Sequence, residues 1–103
     1  HDNGWMSDEY LRRISIAIDN VKRMIERFGD EYRIIIMADH GGHDRGHGTD
    51  MAEDMTVPFF FRGPEFTVGE IGEREVSLLD IAPTIASVLE IPGAPEWEGT
   101  SLI

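Results

Sequence analysis

Apolar residues recur at steps of three and four between residues 8 and 28, and this spacing predicts an amphipathic helix. Ser7 and the two acidic residues after it are typical of a helix start, because serine caps free backbone N–H groups and carboxylates favour the positive helix end. Gly29 is the predicted end of the helix. The apolar stripe that such a helix would turn towards a core consists of Leu11, Ile14, Ile18, Val21, Ile25 and Phe28.

Two strands and a second helix are predicted further along the chain. The run over residues 32–38 is too continuously apolar for a half-exposed strand, which indicates a buried strand in a parallel sheet. Residues 57–61 form the second predicted strand, with Pro58 near its start, where a missing N–H group does least harm. A helix is predicted over residues 81–89 with Asp80 as its N-cap. This order of elements favours a layered α/β fold.

Metal-binding side chains are concentrated in the segment "ADHGGHDRGHGTD", residues 38–50, directly after the first predicted strand. Three of the four histidines of the chain lie here, and ligands of open α/β sheets bind beyond the carboxyl ends of strands. Adjacent Asp39 and His40 offer a carboxylate and an imidazole, which suit zinc, manganese or iron better than calcium. His43 and His47 follow among glycines that let the backbone turn. The spacing matches no zinc finger or HExxH helix, so a solvated loop stays open as the alternative.

Composition and charge narrow the possible partners. The net charge of -11 would repel a nucleic-acid polymer. The absence of cysteine excludes disulfides and thiolate zinc sites and fits a reducing compartment such as the cytoplasm. No apolar run approaches the roughly 20 residues that a membrane-spanning helix needs. The acidic residues that follow the histidine-rich loop, Glu53 and Asp54, are assigned to a solvated surface.

The segments "IIIMADHGGH", "HGT" and "TVPFFFRGP" resemble the C-terminal part of alkaline-phosphatase-superfamily enzymes, with the type I phosphodiesterase/nucleotide pyrophosphatase group as the nearest branch. "VSLLDIAPTIASVLEI" and "WEGTSL" are similar to the helix after the site and to the closing turn of that family. The resemblance implies a fragment of a three-layer α/β/α sandwich with a largely parallel central sheet. Residues 1–103 would be the C-terminal part of this catalytic domain, and the N-terminal part with the nucleophile would be missing.

The same resemblance implies two divalent metal ions, zinc in the first place and manganese as the alternative. Asp39 and His40 would bind one ion, and His47 and His1 would bind the other. His43 is a rival to His47, but a histidine before Gly-Thr and the Val-Pro strand matches the family better. Because the nucleophile and further ligands would lie elsewhere, the isolated chain is expected to be inactive and to bind metal weakly.

The resemblance favours a phosphodiesterase or nucleotide pyrophosphatase that acts on a small phosphate ester. A phosphomonoesterase, a sulfatase-like hydrolase or a phosphosugar mutase of the same superfamily is the alternative within the enzymes. A non-catalytic metal-binding or interaction domain is the alternative outside them. Apolar surface left uncovered by a missing half could also bring two copies of the chain together as a dimer.

Overall fold

A computed structural model describes residues 2–69 and 75–103 of the chain. The chain divides into two compact units, His1–Gly63 and Pro64–Ile103. The first unit contains, in chain order, helix α1 (Asp8–Phe28), strand β1 (Ile34–Met37), the short helix α2 (Ala52–Met55) and strand β2 (Phe59–Arg62). The second contains a 3₁₀ turn (Leu78–Asp80) that continues directly into helix α3 (Ile81–Val88).

Helix α1 has the bounds that its periodicity predicts. The hydroxyl of Ser7 accepts a hydrogen bond from the N–H of Tyr10 at 3.2 Å, so the predicted N-cap is confirmed. At the other end Gly29 keeps a right-handed conformation, with φ of -63°. A Cβ atom on Gly29 would lie 2.5 Å from the carbonyl oxygen of Ile25, so close approach to the last turn explains the glycine.

Strands β1 and β2 pair with each other in antiparallel register, with Ile34 opposite Arg62 and Met37 opposite Phe59. The α/β class is therefore confirmed, whereas the largely parallel sheet is not found in this pair. An apolar run signals burial on both faces of a strand but does not specify its direction. The connection contains a single four-residue helix, and the chain folds back on itself instead of crossing over the sheet through a long helix.

The second unit is organised around Asp80, although not as the sequence predicts. Asp80 was expected to cap the helix that follows, but the 3₁₀ turn begins earlier and Ser77 caps it, so Asp80 is already helical. The carboxylate of Asp80 accepts hydrogen bonds from the N–H groups of Ser77 at 2.9 Å and Thr100 at 2.8 Å. It thereby joins the start of the helical segment to the C-terminal end of the chain.

The apolar stripe of α1 is only partly covered. No residue of α1 is buried, and Leu11, Ile14 and Ile18 each expose 40% or more of their surface. Among the described residues, Ala86 is the one hydrophobic side chain that is fully buried. Within the same residues, no helix combines the length and the apolar character needed to cross a membrane.

Candidate metal centre

The histidine-rich loop follows β1 and is hydrogen-bonded to backbone carbonyls of the short helix α2. The N–H of Gly41 donates to the carbonyl of Asp54 at 2.9 Å, and the N–H of Gly42 donates to the carbonyl of Glu53 at 2.8 Å. A Cβ atom on Gly41 would lie 1.9 Å from the Glu53 carbonyl oxygen, a distance that no side chain could tolerate. The first glycine of the loop is therefore required for this close approach to α2.

Trp5 covers the other side of the loop. A Cβ atom on Gly42 would lie 2.1 Å from the Trp5 indole ring, so the ring packs directly on the glycine backbone. The N–H of Trp5 also donates to the carbonyl of Asp44 at 2.6 Å. The indole centroid lies 6.2 Å from that of the His40 imidazole. The segment before α1 thus helps to fix the start of the loop, next to a predicted metal ligand.

His40 is held in the tautomer that a metal ligand needs. Its Nδ1 atom lies 2.6 Å from the carbonyl oxygen of Gly41. Because a carbonyl oxygen only accepts, Nδ1 carries the proton of the neutral ring and the lone pair is on Nε2. Nε2 lies 3.9 Å from Oδ1 of Asp39, whose side chain is 92% exposed. An imidazole nitrogen and a carboxylate oxygen thus lie near each other, as the pair of predicted ligands requires.

His47 lies directly against His40. The two imidazole rings stack with their centroids 3.9 Å apart and their planes inclined by 18°. The loop thus brings two of the predicted ligand residues into direct contact. The division of the ligands between two ions stays a prediction.

The ligand set within the described residues is partial. The structure brings three of the predicted ligands, Asp39, His40 and His47, to one loop, whereas His1 lies outside the described residues. In residues 2–69 and 75–103, no group of three histidine, aspartate or glutamate side chains is close enough to hold one ion. A catalytic zinc ion usually has three protein ligands and a structural one has four. The donor chemistry thus fits a divalent ion, and the number of donors fits a weak site.

His43, the alternative to His47 as a predicted metal ligand, is hydrogen-bonded to Asp54. Its Nδ1 atom lies 2.7 Å from Oδ1 of Asp54, whose side chain is only 1% exposed. The hydrogen bond to Asp54 raises the pKa of His43, against a smaller opposite effect of burial. The bond from His43, followed by the one from the Thr49 N–H, lowers the pKa of the Asp54 carboxyl to about 2. His43 and Asp54 thus form a partly buried charge pair beside the predicted ligands.

Asp54 is the site residue that the sequence does not reveal. It was assigned to a solvated surface, and this assignment is wrong because the carboxylate is buried and fully engaged. Its Oδ2 atom accepts hydrogen bonds from both the N–H and the hydroxyl of Thr49, each at 2.8 Å. The partners lie eleven and five residues earlier in the chain, and no local motif relates them.

Comparison with known proteins identifies the family to which the chain is similar. The family model of the Metalloenzyme superfamily matches residues 6–92. The chain is 26% identical over 101 residues to the extracellular sulfatase SULF-1 homolog of Drosophila melanogaster, covering 90% of the chain and 9% of that protein. It is 35% identical over 98 residues to the sulfatase ppz1 of Metarhizium majus, covering 86% of the chain and 23% of that protein.

Phosphomutases are similar to the same region. Identity to the 2,3-bisphosphoglycerate-independent phosphoglycerate mutase of Caenorhabditis elegans is 26% over 93 residues, covering 85% of the chain and 17% of the mutase. The chain thus spans less than a quarter of the length of these relatives. No solved structure matches the chain significantly. Sulfatases and phosphomutases match, and the phosphodiesterase/nucleotide pyrophosphatase branch is not singled out. On the match over residues 6–92, the chain belongs to the alkaline-phosphatase-like metalloenzyme superfamily.

Proposed function

We propose that this chain is the C-terminal part of the catalytic domain of a metal-dependent enzyme that acts on phosphate or sulfate esters. The observation that carries the proposal is the stack of His40 on His47, with Asp39 beside it, in a member of the metalloenzyme superfamily. Asp39 and His40 bind one divalent ion, and His47 binds a second together with His1. Zinc is the preferred ion and manganese the alternative, because the donors are imidazole nitrogen and carboxylate oxygen.

Each ligand has a defined task in this proposal. When bound, the ions neutralise negative charge on the ester group and polarise its oxygen atoms. The carbonyl oxygen of Gly41 orients the His40 ring by accepting a hydrogen bond from Nδ1–H, so that the ring lone pair is on Nε2. Asp39 contributes a negative charge that offsets the charge of the ion. An otherwise acidic chain, with a net charge of -11, thereby acquires local positive charge where an anionic substrate would bind.

The nucleophile is placed outside residues 1–103. Thr49 is the hydroxyl residue of the loop, and its Oγ atom already donates to Asp54 and accepts from the N–H of Met51 at 3.2 Å. A hydroxyl engaged in this way serves the loop structure. Thr56, the other threonine nearby, follows α2 as its exposed C-cap residue. The isolated chain is accordingly expected to be catalytically inactive.

The uncovered apolar stripe of α1 supports the proposal that further protein completes the domain. A helix with a one-sided stripe gains most of its stability from packing that stripe against other elements. In the described residues this cover is only partial, since Val21 and Ile25 are half-buried and α1 contains no fully buried residue. A second copy of the chain is the alternative cover, and sedimentation of the chain would reveal it as a dimer.

The ester class is tested on the protein in which this chain is joined to the rest of the domain. Substrates would be p-nitrophenyl sulfate, p-nitrophenyl phosphate and p-nitrophenyl thymidine monophosphate, with phosphosugar isomerisation followed by ³¹P NMR. The sulfatase and mutase relatives favour sulfate esters and phosphosugars, and the motif resemblance favours the diester. We expect the protein to turn over one of these substrate classes. Chelation of the metal should abolish this activity, and added zinc or manganese should restore it.

A matched pair of variants makes this assay specific. Asp39→Asn and Glu53→Gln each remove one carboxylate near the loop, but only the first removes a proposed ligand. We expect Asp39→Asn to lower kcat/KM by at least about a hundredfold, and Glu53→Gln to leave it within about threefold. Turnover that survives chelation and Asp39→Asn would contradict the proposal. Metal binding without turnover of any ester would favour the non-catalytic metal-binding domain.

A further inference from the structure

The buried carboxylate of Asp54 joins both ends of the short segment that carries His47. Oδ1 accepts from Nδ1 of His43 at 2.7 Å, at the start of the segment. Oδ2 accepts from the N–H and the hydroxyl of Thr49, at its end. The backbone carbonyl of Asp54 also accepts from the N–H of Gly41, immediately after His40. One residue of α2 thus contacts the loop directly after His40 and on both sides of His47.

We propose that Asp54 is a positioning residue for the metal centre, which holds the segment 43–49 in the turn that stacks His47 on His40. This inference rests on the proposed function, in which those two histidines are metal ligands. Asp54 itself does not bind the metal. It acts through the backbone and side chains of His43 and Thr49.

The segment 43–49 depends on hydrogen bonds to Asp54 because few backbone hydrogen bonds of its own restrain its conformation. A pair of backbone hydrogen bonds between His43 and Gly46, at 2.9 and 3.1 Å, closes a tight turn at its start. Two glycines flank His47, and Gly48 has a φ of +92°, a conformation that side-chain-bearing residues rarely adopt. Without a fastening after Gly48, the chain around His47 could adopt many conformations. Thr49 supplies that fastening through two hydrogen bonds to the same oxygen.

Both carboxylate oxygens of Asp54 take part in the clamp. Asp54 receives three donor groups, one on Oδ1 and two on Oδ2. An asparagine could accept both Thr49 bonds on its oxygen and donate its N–H₂ group to Nδ1 of His43 in the other tautomer of the ring, so it would not open the clamp. Asp54→Ala removes both acceptor oxygens and releases His43 and Thr49 together. Outer hydrogen-bond partners of metal ligands typically contribute 10–100-fold to metal affinity.

The test uses the ring signals of the four histidines in the 103-residue chain, which NMR can assign individually. In the metal-free chain, a nuclear Overhauser effect between the His40 and His47 rings reports the stack. Zinc alone is then titrated, and the His40 and His47 signals report the affinity. We expect Asp54→Ala to abolish the effect between the rings and to weaken zinc binding by about tenfold.

Three further variants separate positioning from charge and from direct binding. Glu53→Gln removes the same unit of charge from the neighbouring residue and is expected to match the unchanged chain. His43→Leu removes one donor to Asp54 and is expected to weaken zinc binding severalfold. His43→Asn keeps an amide donor near the place of Nδ1 while removing Nε2, and is expected to restore most of the affinity. The helical circular dichroism signal, most of which comes from α1, checks that each variant folds, and Thr49→Val replaces Asp54→Ala if the latter does not fold.

Unchanged ring contacts and unchanged zinc affinity in Asp54→Ala would overturn the proposal. A loss of affinity in Glu53→Gln equal to that in Asp54→Ala would overturn it as well, because charge alone would then be responsible. Equal losses in His43→Asn and His43→Leu would show that the His43 ring itself binds the ion. If zinc moves neither the His40 nor the His47 signal of the unchanged chain, the proposed metal centre fails. The ring contact in the metal-free variants still decides the role of Asp54.

Discussion

The imidazole rings of His40 and His47 are stacked with their centroids 3.9 Å apart, although the two residues are seven positions apart in the chain. The loop between them turns back because two glycines fit against α2 and Trp5, where no larger residue could. The stack thus depends on the packing of the loop against α2 and Trp5.

Replacing Gly41 by alanine should displace the start of the loop. The added Cβ atom would meet the Glu53 carbonyl oxygen, and overpacking of this kind costs about 1–3 kcal/mol. Gly46→Ala is the matched control, since a Cβ atom there meets nothing within 4 Å. Urea unfolding should show a lower free energy of unfolding for Gly41→Ala alone. Equal stability of the two variants would mean that the loop does not approach α2 as closely as described.

Thr84 is predicted to be the most sensitive polar residue of the second unit. Its hydroxyl is fully buried, donates to the carbonyl of Asp80 at 2.6 Å and accepts from the N–H of Leu102 at 3.0 Å. Thr84→Val keeps the shape but leaves the Leu102 N–H without this acceptor, which costs about 1–3 kcal/mol.

Thr100→Val is the control for Thr84→Val, because the side chain of Thr100 is exposed. Amide hydrogen exchange at Leu102 is the measurement. We expect it to accelerate in Thr84→Val and to stay unchanged in Thr100→Val. Exchange at the same rate in both variants would mean that the C-terminal end is not fastened through Thr84.

The His43–Asp54 pair should make the loop sensitive to pH. The raised pKa of His43 stabilises the fold fully below pH 6.5, and this contribution is lost as the pH rises through the folded pKa. The lowered pKa of Asp54 stabilises the fold above pH 3.8, and this contribution is lost as the pH falls towards about 2. The pair therefore contributes fully between pH 3.8 and pH 6.5.

An NMR titration of the His43 ring signal checks the pH prediction directly. The midpoint is expected above 6.5, and Asp54→Asn should lower it because the neighbouring negative charge is gone. His47 provides the internal comparison in the same spectra. A His43 midpoint that does not respond to Asp54→Asn would show that the two side chains do not interact in solution.

Local sequence rules predict the parts of the fold that depend on neighbouring residues. The bounds of α1 follow from its periodicity and from Ser7, and the position of the candidate site follows from a strand that ends at Met37, two residues before Asp39. The direction of pairing between β1 and β2 does not follow, since it depends on how the connection folds. The role of Asp54 cannot be predicted from the sequence for a similar reason. Its hydrogen-bond donors are distant in the chain, and an acidic residue in a short helix has the sequence pattern of a surface residue.

Paramagnetic broadening by Mn²⁺ tests the central claim most directly, because the ion broadens NMR signals only near the place where it binds. In the 103-residue chain we expect the signals of Asp39, His40 and His47 to broaden first, at a Kd weaker than about 1 μM. His40→Ala should remove this selectivity. Broadening that begins at acidic residues elsewhere and leaves the His40 and His47 rings sharp would contradict a metal centre at the end of β1.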